Sequence, residues 1–444
     1  MTVAEAPAAS PTDLLDELRA WLDENWDPDL TVAQWWERLG LAGWSAPALP
    51  SNAYGRDVSR SDAVRISQEI AAYGALGAPG GLGLLLAGPT IATCGTQEQI
   101  DRHVRDIVTG QKAWCQLFSE PGAGSDLAGL TSRAVEDGDG WIVNGQKVWT
   151  SMGHEADLGM LLARTNPEAP KHAGITWFVC NMLQPGIEVR PLREMTGNAM
   201  FNEVFLSDVR VDADAAIGEV NDGWRVANAT LAFERAGLGT GGTSGITPVV
   251  PGTIAGNLEK RAGDLAPSKS KPKATTSSQP AAPRKAPSAA AMLIGFAKKH
   301  GRSEDPLVRQ RLVELHTLGE IGRLNAERVK AAKAVGKDIP GMGNIGKLSM
   351  STVMRLQRDL GLELAGAQGM LHGYDEEQAA AVQAVVQDPV LPAVTTMSLY
   401  AQAPPIYGGT DQIQRNIIGE RILGLPKEPG SNSKVPFSEL PKNA

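Results

Sequence analysis

Residues 118–126, Phe-Ser-Glu-Pro-Gly-Ala-Gly-Ser-Asp, hold the densest grouping of ligand-binding chemistry in the chain. Gly122 and Gly124 lack side chains, so the backbone there can approach a flat or anionic ligand and donate its amides to it. Ser119 and Ser125 add hydroxyls on either side. Taken alone, such a loop is equally what a plain surface turn looks like. A second cluster, Gly237-Leu238-Gly239-Thr240-Gly241-Gly242, formally matches GxGxxG. It follows a helical pattern instead of a strand, so the context that gives a dinucleotide-binding turn its meaning is missing. Glu234 directly precedes Arg235, and on their own the two read as a helix-surface ion pair. The six histidines show no HExxH or paired spacing, no Walker A sequence occurs, and Cys94, Cys115 and Cys180 form no CxxC pair. Metal, P-loop and disulfide chemistry are unsupported, and a reducing cytoplasm suits the scattered thiols.

The elements that must position these residues follow an α, β, α order. In residues 1–112, Leu14, Leu15, Leu18, Trp21 and Leu22 recur at helical spacing behind Thr12, a candidate N-cap. Further helical segments start near Ser61 and run from Thr96 to Val108. Between 113 and 220 the helical period vanishes. Short β runs appear there, at 158–163, 174–180, 186–189 and 203–206. Asn144-Gly145, between apolar triplets, predicts a two-residue hairpin turn, and Asp137-Gly138-Asp139-Gly140 marks another turn just before it. Such punctuation suggests a small antiparallel barrel or sandwich. Helical periodicity returns at Trp224 and lasts to about Leu425. Residues 265–290 interrupt it, rich in Pro, Ser, Ala and Thr with five basic residues and no acidic one. They read as a flexible linker. The expected fold class is α+β: an N-terminal helical domain (1–112), a central antiparallel β domain (113–220), a C-terminal helical domain (221–426) and a tail (427–444).

Composition narrows the partners. The 444 residues carry a net charge of −8 and a pI near 5.4. No basic excess exists to neutralise phosphates, so nucleic acid and anionic membrane surfaces are excluded as general partners. The acidic first sixteen residues lack the features of a secretory signal. Residues 71–97 are uncharged, but their glycines, Pro79 and Pro89 suit a buried helix pair or one lining an apolar tunnel better than a membrane span.

The 118–126 loop as a whole resembles the flavin-binding signature of acyl-CoA dehydrogenases. Lys147-Val148-Trp149-Thr150-Ser151, Asn202-Glu203-Val204-Phe205, Gly223-Trp224 and Tyr407-Gly408-Gly409-Thr410-Asp411-Gln412-Ile413-Gln414-Arg415 also recur in that family's order, over roughly Leu14 to Pro426. The resemblance implies FAD as cofactor and an acyl-CoA thioester as substrate, oxidised to the trans-2-enoyl-CoA. A carboxylate removes the α-proton and flavin N5 takes the β-hydride. It places Phe118, Ser119 and the amides near Gly122 and Gly124 beside the flavin pyrimidine, and Ser125 where acyl-CoA binds. It sets Trp149, with Thr150, against the isoalloxazine ring and Ser151 on N5. Glu363 to Gly369, including Gly366 and Ala367, resembles the segment touching the FAD pyrophosphate of a neighbouring subunit. Thr410 and Gln412 resemble flavin contacts as well. A shared site implies at least a dimer, and the family is usually tetrameric, with an electron-transfer flavoprotein as acceptor.

The family's commonest base is the Glu before Gly-Thr in the C-terminal motif. Here that position is Gly408, which cannot serve. Some members carry the base just before an arginine on the first helix of the C-terminal domain. Glu234 holds that place, and Arg235 matches a family arginine near the substrate. Two other readings remain: a non-catalytic partner subunit in a mixed tetramer, and a flavin monooxygenase on the same fold. Trp149 could instead be a barrel-core aromatic, and His154 reads as an exposed loop histidine. Gly80, Gly81, Gly83 and Gly408 could leave room for a bulky acyl group, including a steroid side chain.

Overall fold

A computed structural model describes residues 11–238, 249–267, 289–335, 337–427 and 434–441. Helical apolar spacing rolls α1 (Pro11–Asn25), α2 (Val32–Leu41) and α3 (Arg60–Tyr73) together over Leu18, Leu22, Trp35, Trp36, Leu39, Ile66 and Ile70. α1 begins at Pro11, so Thr12 lies inside the helix instead of capping it. Proline at a first helical position has no amide bond to lose. The uncharged stretch forms a π-helical turn, Gly83–Ala87, that runs into α4 (Gly88–Cys94). Next come α5 (Gln97–Gln99), a π turn at Ile100–Val104, and α6 (Arg105–Val108). Thr96 caps α5, with Gln99 returning the bond to the Thr96 amide. No helix among the described residues is long and apolar enough to cross a membrane.

Of the glycines expected to open space, Gly83 is packed tightly, since a side chain there would meet Trp114 at 3.0 Å, and one on Gly81 would come into ordinary contact with Pro251 at 3.9 Å.

Among the described residues, seven strands form one curled sheet: β1 (Trp114–Leu117), β2 (Arg133–Asp137), β3 (Gly140–Ser151), β4 (Leu158–Arg164), β5 (Ile175–Asn181), β6 (Ile187–Leu192) and β7 (Phe201–Asp212). Their order is β1-β4-β2-β3-β7-β6, with β5 on β4. Most ladders are antiparallel, while β1 runs parallel to β4. Alternation sends Cys115, Leu117, Leu161 and Phe178 into the core inside the curl. Trp114, Phe118, Met160 and Trp177 face the helices instead.

One expectation fails. Asn144-Gly145 is not a hairpin turn, because β3 runs straight through it and pairs with β7 on one side and β2 on the other. The register slips between Val143 and Gly145, a bulge, and a side chain on Gly145 would strike Ser132 at 2.1 Å. Gly138, in the Asp137–Gly140 turn with φ of 62°, supplies the actual reversal between β2 and β3.

α7 (Gly223–Leu238) packs on the apolar helix–sheet core through Val226, Ala227 and Leu231. Residues 249–267, with α8 (Ala262–Leu265), then cross the N-terminal helices as a strap. Val32 and Ala33 amides donate to the Lys260 and Leu258 carbonyls at 2.8 and 2.9 Å, and Ala262 N donates to Leu30 O at 2.8 Å. Val249, Leu258 and Ala262 enter the same apolar cluster as Leu18 and Trp35. The buried Asp157 carboxylate pins the strap to the sheet, accepting from Thr253 N at 3.1 Å and Ala113 N at 2.8 Å. Most of the linker expected at 265–290 and of the GxGxxG cluster lies outside the described residues. The remaining helices are α9 (Ala289–Lys299), α10 (Pro306–Ala334), α11 (Met342–Ala365), α12 (Glu376–Val386), α13 (Leu391–Tyr400) and α14 (Asp411–Ile417). α9 to α13 share a core that includes Leu293, Phe296, Leu312, Leu360 and Val394.

Candidate functional site

The Gly-rich loop leaves β1 and is fastened at its base. Glu120 and Ala123 exchange backbone bonds at 3.1 and 3.0 Å, closing a tight turn. The Glu120 carboxylate accepts from Thr131 N at 2.7 Å and Ser132 N at 2.9 Å, and pairs with Lys147 Nζ at 2.8 Å. Burial pushes this carboxyl up, but Lys147 and the amide donors outweigh it and hold it at about 2. Burial draws Lys147 down, opposed by Glu120. Lys147 also donates to Phe118 O at 3.2 Å, and Val148 N donates to Ser119 O at 2.9 Å. Phe118 is buried and Ser119 half-buried, whereas Gly122, Gly124 and Ser125 are exposed. A side chain on Gly124 would meet nothing within 4 Å, so the loop opens into free space.

Lys147 leads directly to Trp149. The β3–β7 register shifts between Lys147 and Thr150, and Trp149 takes a φ of 60°. That left-handed backbone is costly for a tryptophan and marks a place where position matters more than stability. Trp149 is 61% exposed and rests edge-on against Phe201 at 5.9 Å, so it is not a barrel-core aromatic. The next residue turns inward: Thr150 is fully buried, and its hydroxyl has no hydrogen-bond partner. Ser151 is half-buried beside it. His154 is exposed, 3.2 Å from Asn202 Oδ1.

Glu234 lies on α7 with its carboxyl turned to β1, where Gln116 is its hydrogen-bond partner. Burial raises the Glu234 carboxyl above the ordinary range, with Gln116 and Arg235 opposing. Arg235 is half-buried; burial lowers it, Glu234 raises it, and Arg421 lowers it again. The local ion-pair reading therefore omits the main influence on Glu234, which is loss of solvent.

Gly408 and Gly409 adopt φ of 61° and 81°. Gln414 Nε2 holds this turn, donating to Gly408 O at 2.8 Å. Asp411 is buried against Lys347 at 3.3 Å and Arg355 at 3.0 Å. Thr410 caps α14 by accepting from Ile413 N at 3.1 Å, so its hydroxyl already has a structural task, and Gln412 is exposed. Glu363, near the end of α11, is paired with Arg311 and lies 3.6 Å from Arg302. Gly366 ends α11 with φ of 56°, and Ala367 is exposed just beyond. The chain thus presents one cluster around the loop and Trp149, one around Glu234, and a third along α11 and α14.

Three family models match the chain. The acyl-CoA dehydrogenase N-terminal, middle and C-terminal domains match residues 12–111, 115–209 and 288–423. Acyl-CoA dehydrogenase IpdE1 of Mycobacterium tuberculosis is 35% identical over 397 residues, 89% of this chain and 88% of that one. The chain belongs to the acyl-CoA dehydrogenase family. As such it is an FAD-dependent oxidoreductase of lipid metabolism. Acyl-CoA dehydrogenase FadE34 of the same organism is 36% identical over 393 residues, covering 88% of this chain and 46% of FadE34. Among solved structures, the Tcur3481-Tcur3483 steroid ACAD superposes with a TM-score of 0.62 at 24% identity, covering 96% of this chain and 100% of that one. The ChsE4-ChsE5 complex from Mycobacterium tuberculosis gives 0.63 at 24% identity, with coverage of 96% and 100%. At these identities the two structures show the dehydrogenase fold.

The β-domain residues fit the FAD that this family carries. An exposed tryptophan on strained backbone and a loop opening into free space are features a bound flavin accounts for together. Sequence reasoning missed Gln116, whose face and partner depend on where α7 crosses β1. It quoted Glu120 and Lys147 inside their motifs without pairing them. Their opposite charges in two ordered motifs were the available signal.

Proposed function

We propose that this acyl-CoA dehydrogenase oxidises the α–β bond of its acyl-CoA with Glu234 as the base. The observation that carries this reading is the raised carboxyl of half-buried Glu234 against Gln116, in a chain whose alternative position is Gly408. Burial strengthens the carboxylate as a base, narrowing the gap to a weakly acidic α-proton. Arg235 keeps a positive charge beside it, toward the thioester. FAD, when bound, supplies the two-electron acceptor for the β-hydrogen. Phe118, Ser119, the amides around Gly122 and Gly124, Trp149, Thr150 and Ser151 would hold it. Glu363, Gly366, Ala367, Thr410 and Gln412 are proposed to complete its site, the α11 segment from a neighbouring subunit, and Ser125 to lie along the acyl-CoA. The proposed electron acceptor is an electron-transfer flavoprotein. Exposed Leu307, Val313, Ile321 and Leu324 on α10 support an assembly, either of copies of this chain or with a related one.

Gly408 also favours a second reading, a subunit that works only beside a related chain. The test is an anaerobic panel of acyl-CoAs, from straight chains to steroid side chains, against flavin absorbance. The chain purified alone is expected to hold FAD and bleach with one acyl class. Bleaching only after co-expression with a related chain assigns the partner role. No bleaching in either preparation defeats both readings.

Gln116 gives a second check. Its hydrogen bond favours the ionised Glu234 and so lowers that group's pKa. Gln116→Leu should therefore move the acidic limb of the reduction rate to higher pH, because deprotonation of the base comes later. A stopped-flow pH profile reads this directly, and an unmoved limb would separate Gln116 from the base.

A further inference from the structure

The last described segment, residues 434–441, is docked on the β domain. Phe437 N donates to Ala169 O at 3.0 Å, Ser438 N to Pro167 O at 2.9 Å, and Pro436 forms a bridge with Pro170. These bonds attach the segment to the β4–β5 connection and place the Phe437 ring on Arg164, whose guanidinium carbon is 3.8 Å from the ring centroid.

Arg164 is buried, and its charge lacks a directly bonded carboxylate. Its NH2 donates to Ala128 O at 2.6 Å and Leu130 O at 3.3 Å, and NH1 donates to Lys171 O at 2.7 Å. The Lys171 ammonium in turn sits 2.8 Å from both oxygens of Asp126. A carboxylate beside Arg164 would compete with the Ala128 and Leu130 carbonyls for its N–H groups. An aromatic face attracts the cation without taking those donors. Phe437 thus covers Arg164 and leaves its N–H groups free for the end of the Gly-rich loop.

Different side chains hold different stretches of that loop. Glu120 and Lys147 fasten Phe118 and Ser119 and reach across to Thr131 and Ser132, while Arg164 and Lys171 fasten residues 126–130, next to Ser125. We infer that Phe437 is a positioning residue, reaching from the C-terminal tail through Arg164 to set the acyl-CoA side of the Gly-rich loop. This rests on the function proposed above.

Hydrogen exchange and steady-state kinetics on the full-length holoenzyme test it. In Phe437→Ala, and in a chain ended after Ser433, the amides of 126–130 should exchange faster, while those at 131–132 and 147–151 stay protected. KM for the acyl-CoA should rise about tenfold with kcat within about twofold, as expected for loss of one desolvated cation–π contact that serves binding. Phe437→Trp should restore both readouts and Phe437→Leu should not, which separates the ring's electrostatics from its bulk. Unchanged exchange in both Phe437→Ala and the shortened chain overturns the inference whatever the turnover. Faster exchange with an unmoved KM also overturns it, by removing the link to acyl-CoA. If no acyl-CoA bleaches even the wild-type flavin, the proposed function fails, and exchange alone decides whether the tail sets the loop.

Discussion

Glu234→Gln should slow anaerobic flavin reduction by on the order of 10³-fold while the protein keeps its FAD. Glutamine keeps the shape and a hydrogen-bonding group toward Gln116 but cannot accept the α-proton. The cofactor residues at Phe118, Ser119 and 149–151 are on other elements and stay as they are. Stability supplies the control. The folded-state pKa of Glu234 is raised by burial, so its contribution to stability is full below the unfolded-state value and is lost as pH rises through the folded one. Above that range the wild type holds a desolvated charge that the variant lacks. Thermal melts of Glu234→Gln at alkaline pH should therefore match or exceed the wild type. Wild-type reduction rates in the variant would remove Glu234 from the chemistry. Slow reduction with a lowered melting temperature would point to structural damage instead.

Lys147→Met should cost about 3–5 kcal/mol of stability and release the flavin, because it leaves the buried Glu120 carboxylate without its partner. Glu120 also orients Thr131 and Ser132, and Lys147 holds Phe118 O, so the loop and β3 would separate where the pyrimidine side of the flavin is proposed to bind. Adding Glu120→Gln to Lys147→Met should recover part of the loss, because the stranded charge disappears. Denaturant titration and FAD content per chain measure both effects. A double variant no more stable than Lys147→Met would show that the charge was never the problem. The pair's own pH window is low. Glu120, held at about 2, keeps its contribution above the unfolded carboxylate value and loses it only as pH falls through that lower one. Mild acid should therefore leave this fastening intact.

The helix–sheet–helix order was legible because the hydrophobic period changes near residue 113 and again near Trp224. The residues proposed for the flavin side sit in two short runs, 118–126 and 147–151, each readable locally. What failed was whatever depends on two distant segments meeting. Asn144-Gly145 has the chemistry of a tight turn, yet the ladder to β7 continues through it, and the glycine is there because Ser132 leaves no room for a side chain. Gly83 reads as space for substrate until Trp114 is seen packed against it. The exposure of Trp149 follows from a register slip that no local pattern announces. Glu234 looked like a surface ion pair on its own helix, and only the fold brings it to Gln116 of β1 and takes solvent from it.

The strap at 249–267 sets an order of events during synthesis. The N-terminal helices lack Val249, Leu258 and Ala262 from their apolar cluster until residue 267 has left the ribosome. At 5–20 residues per second, the 155 residues after position 112 take roughly 8–30 s to make. For that interval the Leu30 carbonyl and the Val32 and Ala33 amides lack their strap partners, and the apolar surface around Trp35 stays uncovered. The first domain of this chain is therefore among the last to close. A fragment ending at residue 112 would carry the same open face permanently.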